Sequence, residues 1–367
     1  MDDVRALFPG ASAGPYFSTA SMALGSVPAM ASLRDSLAKW EEGSFSFEMA
    51  ESASEENRAL FADLIGARPE HVALVSAASS AAGTVAAQLG PAKPGANVVV
   101  PSIEFTSNFF PWLLLADRGY EVRVVEPVDD RLTIDAFRES IDTNTVLVAV
   151  SHIQSLTGYM TDIAGLAELT RSAGAWLVVD GSQALGAVEM DVERMGVDIL
   201  FTCSHKFLLG IRGLGYLYVR PDLLEVFRPT TPGWRAAVDP LDSYYGPDMR
   251  LSSTASRLDM SLAWFNSLAD VEGLRILSRV GIATVEAHNT GLIEYLRDRL
   301  AEQGRTLTFG PLERSQIVTL DVADPGTTLR ALEADGIRVS LRGGRLRASV
   351  HLYNNIEDIE RLVAAIA

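Results

Sequence analysis

Short, nearly uninterrupted runs of apolar residues alternate with longer segments of helical periodicity along most of this chain. The runs are rich in β-branched side chains, which is typical of strands buried on both faces of a parallel sheet. Segments of helical length, such as 134–141 and 163–173, separate them. The predicted strands are Val72–Val75, Asn97–Val100, Glu121–Val125, Thr145–Val150, Trp176–Val179 and Ile199–Phe201.

This pattern predicts an α/β fold with a mostly parallel sheet that is covered by helices on both faces. The run Gly213–Val219 closes the series, in the place of the antiparallel strand that a mixed sheet often carries. From 221 to 256 the periodicity fades, and 228–235 is rich in proline, glycine and arginine. So long a loop in a compact domain indicates a role in an active site or an interface.

The remainder of the chain predicts a second, smaller domain. Helical periodicity returns from about 261 to 302, and Asn355 is a suitable N-cap for a last helix. We therefore predict a large domain at 14–264 and a small α+β domain at 265–367, with 1–13 packed on the small one. Between 302 and the last helix the tail reads strand, helix, strand, strand, at 316–322, 327–335, 337–341 and 346–352.

The composition narrows the class of partner. The chain has 367 residues and a net charge of −16, a balance that repels nucleic acid and anionic membranes. No apolar run approaches the roughly 20 residues that span a bilayer. Residues 1–5 lack the apolar core of a signal peptide, so we expect a cytoplasmic protein without nucleic-acid or membrane partners. The single cysteine, Cys203, excludes a disulfide within the chain, and no cluster has metal-ligand spacing, so we expect no metal.

Two candidate catalytic residues follow predicted strands. In open α/β sheets ligands collect outside the carboxyl ends of the strands. Lys206 lies near one such end, and Asp180 lies directly after another. A lysine that forms an imine, with an acid that keeps a pyridine nitrogen protonated, is what pyridoxal phosphate (PLP) requires of its protein. Taken singly, each has an ordinary explanation: a snorkelling lysine and a helix-capping aspartate.

Two further strand ends carry candidate ligand-binding residues. The small, hydroxylated segment 76–83 opens a helix, and it suits either a phosphate cradle or a plain N-cap. Phe105 follows the strand Asn97–Val100 and could stack on a flat heterocycle, although burial statistics alone favour an ordinary core residue. All four features at strand ends, in this order, are hard to explain separately.

With these four features together, the chain resembles the fold-type I PLP enzymes of the class V aminotransferase family. That family includes cysteine desulfurases, kynureninases and isopenicillin N epimerase-like proteins. The resemblance covers about residues 14 to 367, and it implies a large PLP-binding domain and a homodimer with sites at the interface. The matching segments are Val179–Gly186, Ser204–Lys206, Ser151–Gly158, Glu104–Trp112 and Arg347–Asn354.

The resemblance implies three catalytic residues. Lys206 would hold PLP as an internal aldimine and then transfer protons, Asp180 would pair with the pyridinium nitrogen, and His205 would bind the phosphate. Gln183 would bond the phenolic oxygen of the ring, and Phe105 would stack on it. The remaining cofactor-binding residues would be Ala78, Ser79, Ser155 and Ser204.

On the substrate side, Arg347 matches the arginine that grips the α-carboxylate of an amino acid. Ala20 is a further predicted substrate contact. The aromatic-rich segment 40–47 and the loop 230–235 are the expected sources of selectivity. We therefore predict that Phe47 and Trp234 bind a substrate larger than cysteine.

Departures from the family pattern are informative. Cysteine desulfurases carry a mobile loop with a nucleophilic cysteine before the Arg-Ala-Ser segment, whereas 338–347 here is short and lacks cysteine. Cys203 is expected to be a small packing residue. Ser155 replaces a family asparagine, Ala78-Ser79 replaces a pair of hydroxylated residues, and Ser261 stands near the place of the usual partner-chain threonine.

The resulting interpretation is a PLP-dependent enzyme that acts on an α-amino acid through an external aldimine and a quinonoid, by transamination or β-elimination of the C–S lyase type. Persulfide desulfuration is not expected. An amino-acid epimerase, a nucleotide-sugar aminotransferase and a non-catalytic PLP-fold protein remain alternatives. Of the other histidines, His71 and His288 are expected to be exposed, and His351 could face either way.

Overall fold

The structure is a computed structural model that describes residues 1–307, 309–310, 313 and 315–366. Its larger sheet has seven strands in the order β1-β7-β6-β5-β4-β2-β3. These strands are β1 (Val72–Val75), β2 (Asn97–Pro101), β3 (Glu121–Val125), β4 (Thr145–Ser151), β5 (Trp176–Asp180), β6 (Ile199–Cys203) and β7 (Gly215–Val219).

Strands β2 to β6 run parallel, while β7 pairs antiparallel with both β6 and β1. The predicted α/β class with a mostly parallel sheet is confirmed, including the antiparallel strand that closes the series. All six predicted parallel-type runs form strands, and β5 ends on Asp180, at the edge where ligands collect.

Alternate residues of one strand enter two separate hydrophobic cores. In β5, Leu177 and Val179 pack into the core on one face of the sheet, whereas Val178 packs into the core on the other. Because side chains alternate across a strand, both faces of this sheet are buried. This accounts for the continuous apolar runs in the sequence.

Helices cover both faces of the sheet and build the C-terminal part. Helix α8 (Ile163–Ala173) is followed by Gly174, whose φ of 75° gives a left-handed C-cap. The helices are α1 (Asp2–Arg5), α2 (Gly10–Ala13), α3 (Val27–Glu41), α4 (Phe47–Leu64), α5 (Ala78–Gln88), α6 (Phe110–Leu113), α7 (Ile134–Arg138), α8 (Ile163–Ala173), α9 (Pro221–Leu224), α10 (Trp264–Val280), α11 (Ile282–Glu302), α12 (Pro325–Ala334) and α13 (Ile356–Ala365).

The C-terminal part contains a three-stranded antiparallel sheet in the order β8-β10-β9. The predicted order strand, helix, strand, strand, helix is confirmed, and Asn355 and Asp358 form a capping box at the start of α13. The second strand begins at Ser340 and not at the predicted Ile337. The three strands are β8 (Ile317–Leu320), β9 (Ser340–Arg342) and β10 (Arg345–Ser349).

The N-terminal segment contacts this C-terminal part. Arg5 forms an ion pair with Asp358 at 2.7 Å. Farther along, Phe17 donates to the carbonyl of Arg338 and accepts from the amide of Ser349. The predicted division at residues 264 and 265 falls within the first turn of α10, which packs on α3 and α4. The domain limits stay a prediction.

In the described part of the chain, no helix is both long enough and apolar enough to span a membrane. The same residues contain no group of three or more histidine, cysteine or acidic side chains that could hold a metal ion.

Candidate active site

A cavity of about 350 Å³ opens at the carboxyl edge of the large sheet, against strand β10 of the small one. It brings together residues from segments that are far apart in the sequence. Ten of the predicted site residues line it: Ala20, Ala78, Ser79, Phe105, Ser155, Asp180, Gln183, His205, Lys206 and Arg347.

Three predicted residues lie elsewhere. Ser204 is buried beside the cavity and its hydroxyl donates to the carbonyl of Ile211 at 2.9 Å. Phe47 stacks on Trp264, with 6.0 Å between ring centroids. Trp234 contacts Tyr244 and the guanidinium of its neighbour Arg235. Phe47 and Trp234 therefore do not line the cavity within one chain, because their rings pack against other aromatic side chains.

Asp180 is a buried carboxylate at the end of β5. Its Oδ1 accepts the backbone N–H of Ser182 at 2.8 Å. Burial raises the pKa of Asp180, and this outweighs the lowering effect of the Lys206 charge and of the hydrogen bond from the Ser182 backbone. A second positive group against this carboxylate would stabilise its charged form.

Lys206 extends from the turn after β6 toward the ring of Phe105, with 5.5 Å from Nζ to the ring centroid. Phe105 is 54% exposed, so the reading of this residue as ordinary core is wrong. The turn is held by a hydrogen bond from the amide of Gly210 to the carbonyl of Ser204, at 2.9 Å. Nearby, a Cβ on Gly186 would lie 2.1 Å from the carbonyl oxygen of Phe207, so only glycine fits there.

Two polar side chains that line the cavity contain buried atoms with no partner in the described part of the chain. They are the Oε1 atom of Gln183 and the hydroxyl of Ser182. The other end of the Gln183 amide donates to the carbonyl of Ala20 and to the hydroxyl of Ser155. Buried polar atoms without partners are costly, so these two indicate a polar ligand.

The start of helix α5 forms one end of the cavity. Its N-cap, Ala77, has no side chain that could satisfy the free amides of the first turn, and Ser79 lies in that turn. His205 faces the same end, and its pKa falls to about 4 through burial and through the charges of Lys206 and Arg212. An anion bound here would reverse that shift, because it would favour the protonated imidazole.

Arg347 lines the cavity from strand β10 and is 1% exposed. Its guanidinium donates to the carbonyl and hydroxyl of Ser155, and to the hydroxyls of Ser21 and Ser340. No carboxylate of the described residues pairs with it. Burial, and then the charge of Arg342, lower the pKa of Arg347 to about 10. A guanidinium surrounded by hydroxyls suits an incoming carboxylate.

Glu104 belongs to the matching segment Glu104–Trp112, and the sequence predicts no role for it, but in the structure it organises one wall of the cavity. It is fully buried and accepts from the amide of Ser151 at 2.7 Å, from its hydroxyl, from Gln154 at 2.7 Å and from Asn108 at 3.0 Å. Burial raises the pKa of Glu104 to about 7. This network ties the segment that carries Phe105 to the end of β4.

Three histidines outside the cavity, His71, His288 and His351, are partly or fully buried. His288 is half-buried and its Nε2 lies 3.0 Å from the carbonyl oxygen of Asn354, and His71 is partly buried edge-on to Tyr218. The expectation of exposure is therefore wrong for both. His351, left open by the sequence, is fully buried with Nε2 3.0 Å from the carbonyl oxygen of Phe207.

Comparisons with known proteins agree with this geometry. The family model "Aminotransferase class-V" matches residues 30–362. A probable cysteine desulfurase of Methanothermobacter thermautotrophicus is 30% identical over 331 residues, which cover 84% of this chain and 81% of the relative. The uncharacterised aminotransferase YcbU of Bacillus subtilis is 29% identical over 309 residues, with the same two coverages.

Solved structures show the same fold. The apo cysteine desulfurase from Thermococcus onnurineus has a TM-score of 0.86 at 25% identity, over 99% of this chain and 96% of the other. The cystine C–S lyase C-DES, in complex with its product cysteine persulfide, has a TM-score of 0.88 at 20% identity, over 98% of both chains. A C-DES variant with glycine covalently linked to its PLP cofactor has a TM-score of 0.89 at 20% identity, over 99% of this chain and 98% of the other.

The residues that line the cavity fit PLP. The free amides of α5 suit the phosphate, and the buried Asp180 suits a protonated ring nitrogen. Gln183 and Ser182, whose side chains contain the unpartnered atoms, line the same cavity. Lys206 is the one lysine among the lining residues of the described chain, and it lies under an aromatic ring.

Proposed function

Because this chain belongs to the class V aminotransferase family of PLP-dependent enzymes, we propose that it converts an α-amino acid by transamination or by β-elimination, without forming a persulfide on the protein. When bound, PLP withdraws electrons from the substrate Cα and so weakens its bonds. The protein residues then decide which proton moves and which group leaves.

The observation that carries this proposal is the structure of the segment before Arg347. It is a tight β-hairpin, and its turn consists of Gly343 and Gly344, with φ of 52° and 77°. Such a turn gives no length for a mobile loop that could carry a nucleophile over the cavity. The only cysteine of the chain, Cys203, ends β6 and is 7% exposed. Burial raises the pKa of its thiol, which disfavours the reactive thiolate.

The roles of the side chains follow from their placement. Lys206 would move the proton between the substrate Cα and the neighbouring atoms, since it is the one lysine among the described residues that line the cavity. His205 and Ser79 hold the phosphate at the α5 end. Arg347 holds the α-carboxylate at the other end, which supports an amino acid over a nucleotide sugar as substrate.

We also propose a homodimer. An apolar groove of about 400 Å³ borders the active-site cavity, and Ser79 and Ser107 line both. Its wall includes Phe110 and Leu114, which are 59% and 66% exposed. A second copy seated on this groove would bury these side chains and would close the cavity beside the phosphate end.

The test of the reaction is product analysis on protein reconstituted with PLP. Transamination releases a keto acid and converts the cofactor to pyridoxamine phosphate, whereas β-elimination from cysteine S-conjugates releases pyruvate and leaves PLP intact. Either result supports the proposal. A protein-bound persulfide on Cys203, detected by mass spectrometry after reaction with cysteine, would refute it. Absence of a cofactor absorbance band with excess PLP would refute it as well.

A further inference from the structure

The β9–β10 hairpin presents three arginines, Arg342, Arg345 and Arg347, on one face. Arg342 lies directly across from Arg345, and Arg347 follows Arg345 by two positions, so side-chain alternation places all three together. The turn of the hairpin lies close to Leu156, since a Cβ on Gly343 would come within 2.8 Å of that side chain.

Only one of these arginines is paired with acids in the described part of the chain. Arg345 pairs with Asp130 at 2.5 Å and with Asp321 at 3.3 Å. Arg342 and Arg347 form no ion pair with the described residues. Both donate to one oxygen, the hydroxyl of Ser21, from Arg342 Nη2 at 3.3 Å and from Arg347 Nη2 at 2.8 Å. Arg342 is exposed, and its Nη1 also donates to the carbonyl of Leu341 at 2.7 Å. Two guanidinium groups thus stand side by side in the cavity wall.

The charges that line the cavity divide between its two ends. Arg212 lies near His205, at the end where α5 offers its free amides, and so belongs to the phosphate side. Asp180 is the one acid among the described lining residues, and it is buried at the end of β5. Arg347 accounts for one substrate carboxylate. Arg342 is then a cation in the substrate end for which neither the protein nor the cofactor supplies an anion.

We propose that the substrate amino acid carries a second anionic group on its side chain, and that Arg342 binds this group beside the α-carboxylate on Arg347. The proposal rests on the proposed function. Two guanidinium groups that donate to one hydroxyl oxygen lie close together, and so they suit two acid groups separated by a short chain. The substrate class is therefore a short acidic amino acid with a carboxylate, sulfinate or sulfonate on Cβ or Cγ. In a chain of net charge −16, this cationic wall would also draw anions selectively into the cavity.

The test compares matched substrate pairs on the PLP-loaded enzyme: aspartate with asparagine, glutamate with glutamine, and cysteine sulfinate with cysteine. Dissociation constants come from the change in cofactor absorbance, and kcat and KM from turnover. We expect at least one acidic member to bind about tenfold or more tightly than its neutral partner. Calorimetric titration with succinate and with propionate gives a readout that needs no reaction.

The variant Arg342→Gln should weaken the binding of the preferred acidic amino acid and of succinate about tenfold, which for the amino acid appears mainly as a higher KM. The affinity for the neutral partner should stay within about twofold of the wild-type value. The control is Arg338→Gln, because Arg338 is exposed, lies outside the cavity lining and carries the same charge. Arg338→Gln should leave the affinity for both amino acids of each pair unchanged.

Three results would overturn the inference, and each points to a different cause. Neutral amino acids that bind as tightly as acidic ones would show that no second anion is recognised. If Arg342→Gln weakened the binding of the acidic and the neutral amino acid equally, Arg342 would bind the α-carboxylate instead. No spectral response to any amino acid, in a protein that binds PLP, would overturn the proposed function as well.

Discussion

Arg347 and Ser155 are joined twice: one guanidinium nitrogen donates to the carbonyl oxygen of Ser155 at 2.7 Å and to its hydroxyl oxygen at 2.8 Å. The same hydroxyl accepts from the Gln183 amide at 3.0 Å. Ser155 therefore links the residue proposed to bind the substrate carboxylate to a residue proposed to bind the cofactor ring. This link restrains two long side chains that would otherwise move independently.

Replacing Ser155 by Ala should loosen Arg347 while preserving its backbone contact. We expect KM for the amino acid to rise about tenfold, with a smaller change in kcat, because one charge-assisted hydrogen bond is lost from the support of the arginine. Steady-state kinetics give both constants. Ser155→Asn, which restores the residue of the family pattern, should recover most of the loss. A Ser155→Ala variant with unchanged KM would show that the hydroxyl does not position Arg347.

Replacing Lys206 by Ala should abolish the covalent link to the cofactor and the proton transfer together. Turnover should fall about a thousandfold or more, because a positioned acid–base residue contributes that order of rate. The absorbance spectrum of the protein with PLP checks the first effect and product formation checks the second. Lys206→Arg is the matched control, because it keeps a positive charge near Asp180 and should still lack the activity. An active Lys206→Arg enzyme would contradict the role.

The large sheet was predictable from the sequence because most of its strands are buried on both faces and carry their own apolar runs, whereas the edge strand β3 is only partly buried. Asp180 and Lys206 could be placed from those runs alone, since the end of a parallel strand fixes the edge at which a side chain lies. Nothing comparable indicates Arg342 or Ser21. They reach the cavity from a hairpin and from the N-terminal segment, and the two residues are 321 positions apart in the sequence.

The substrate contacts of Phe47 and Trp234 stay predictions. The composition of their segments does not tell which neighbour a ring will contact, and within one chain both rings pack on other aromatic side chains. Glu104 shows why the support of a site is hard to predict. Its role depends on Ser151, which is 47 positions away and becomes a neighbour only when β2 and β4 pair.

Leu114→Asp should prevent dimer formation if the apolar groove is covered by a second copy, because the charged group would be buried at the interface. Sedimentation should then show a monomer, and the affinity for PLP should fall, since the groove borders the phosphate end of the site. Val128→Asp is the matched control, because Val128 is similarly exposed but lies outside the groove. A Leu114→Asp protein that sediments like the wild type would exclude this groove as the interface.

The last prediction concerns Asp270, a buried carboxylate under the turn that follows Lys206. Its Oδ1 accepts the amide of Ile211 at 2.6 Å, while Oδ2 has no partner in the described residues. Burial raises the pKa of Asp270 from 3.8 to about 7. The native state therefore holds a proton that the unfolded chain has already released, and the stabilising contribution of this group, complete below about pH 3.8, is lost as the pH rises toward 7.

Asp270→Asn keeps the acceptor for Ile211 and removes the titrating charge. The wild type should therefore lose stability relative to the variant between pH 5 and 8, by about 1.4 kcal/mol for each pH unit below the native pKa. Melting temperatures of both proteins across this range measure the difference, and other buried groups cancel because the two chains share them. Parallel profiles would show that Asp270 stays ionised in the native protein, and that the carboxylate is stabilised by contacts stronger than the single amide.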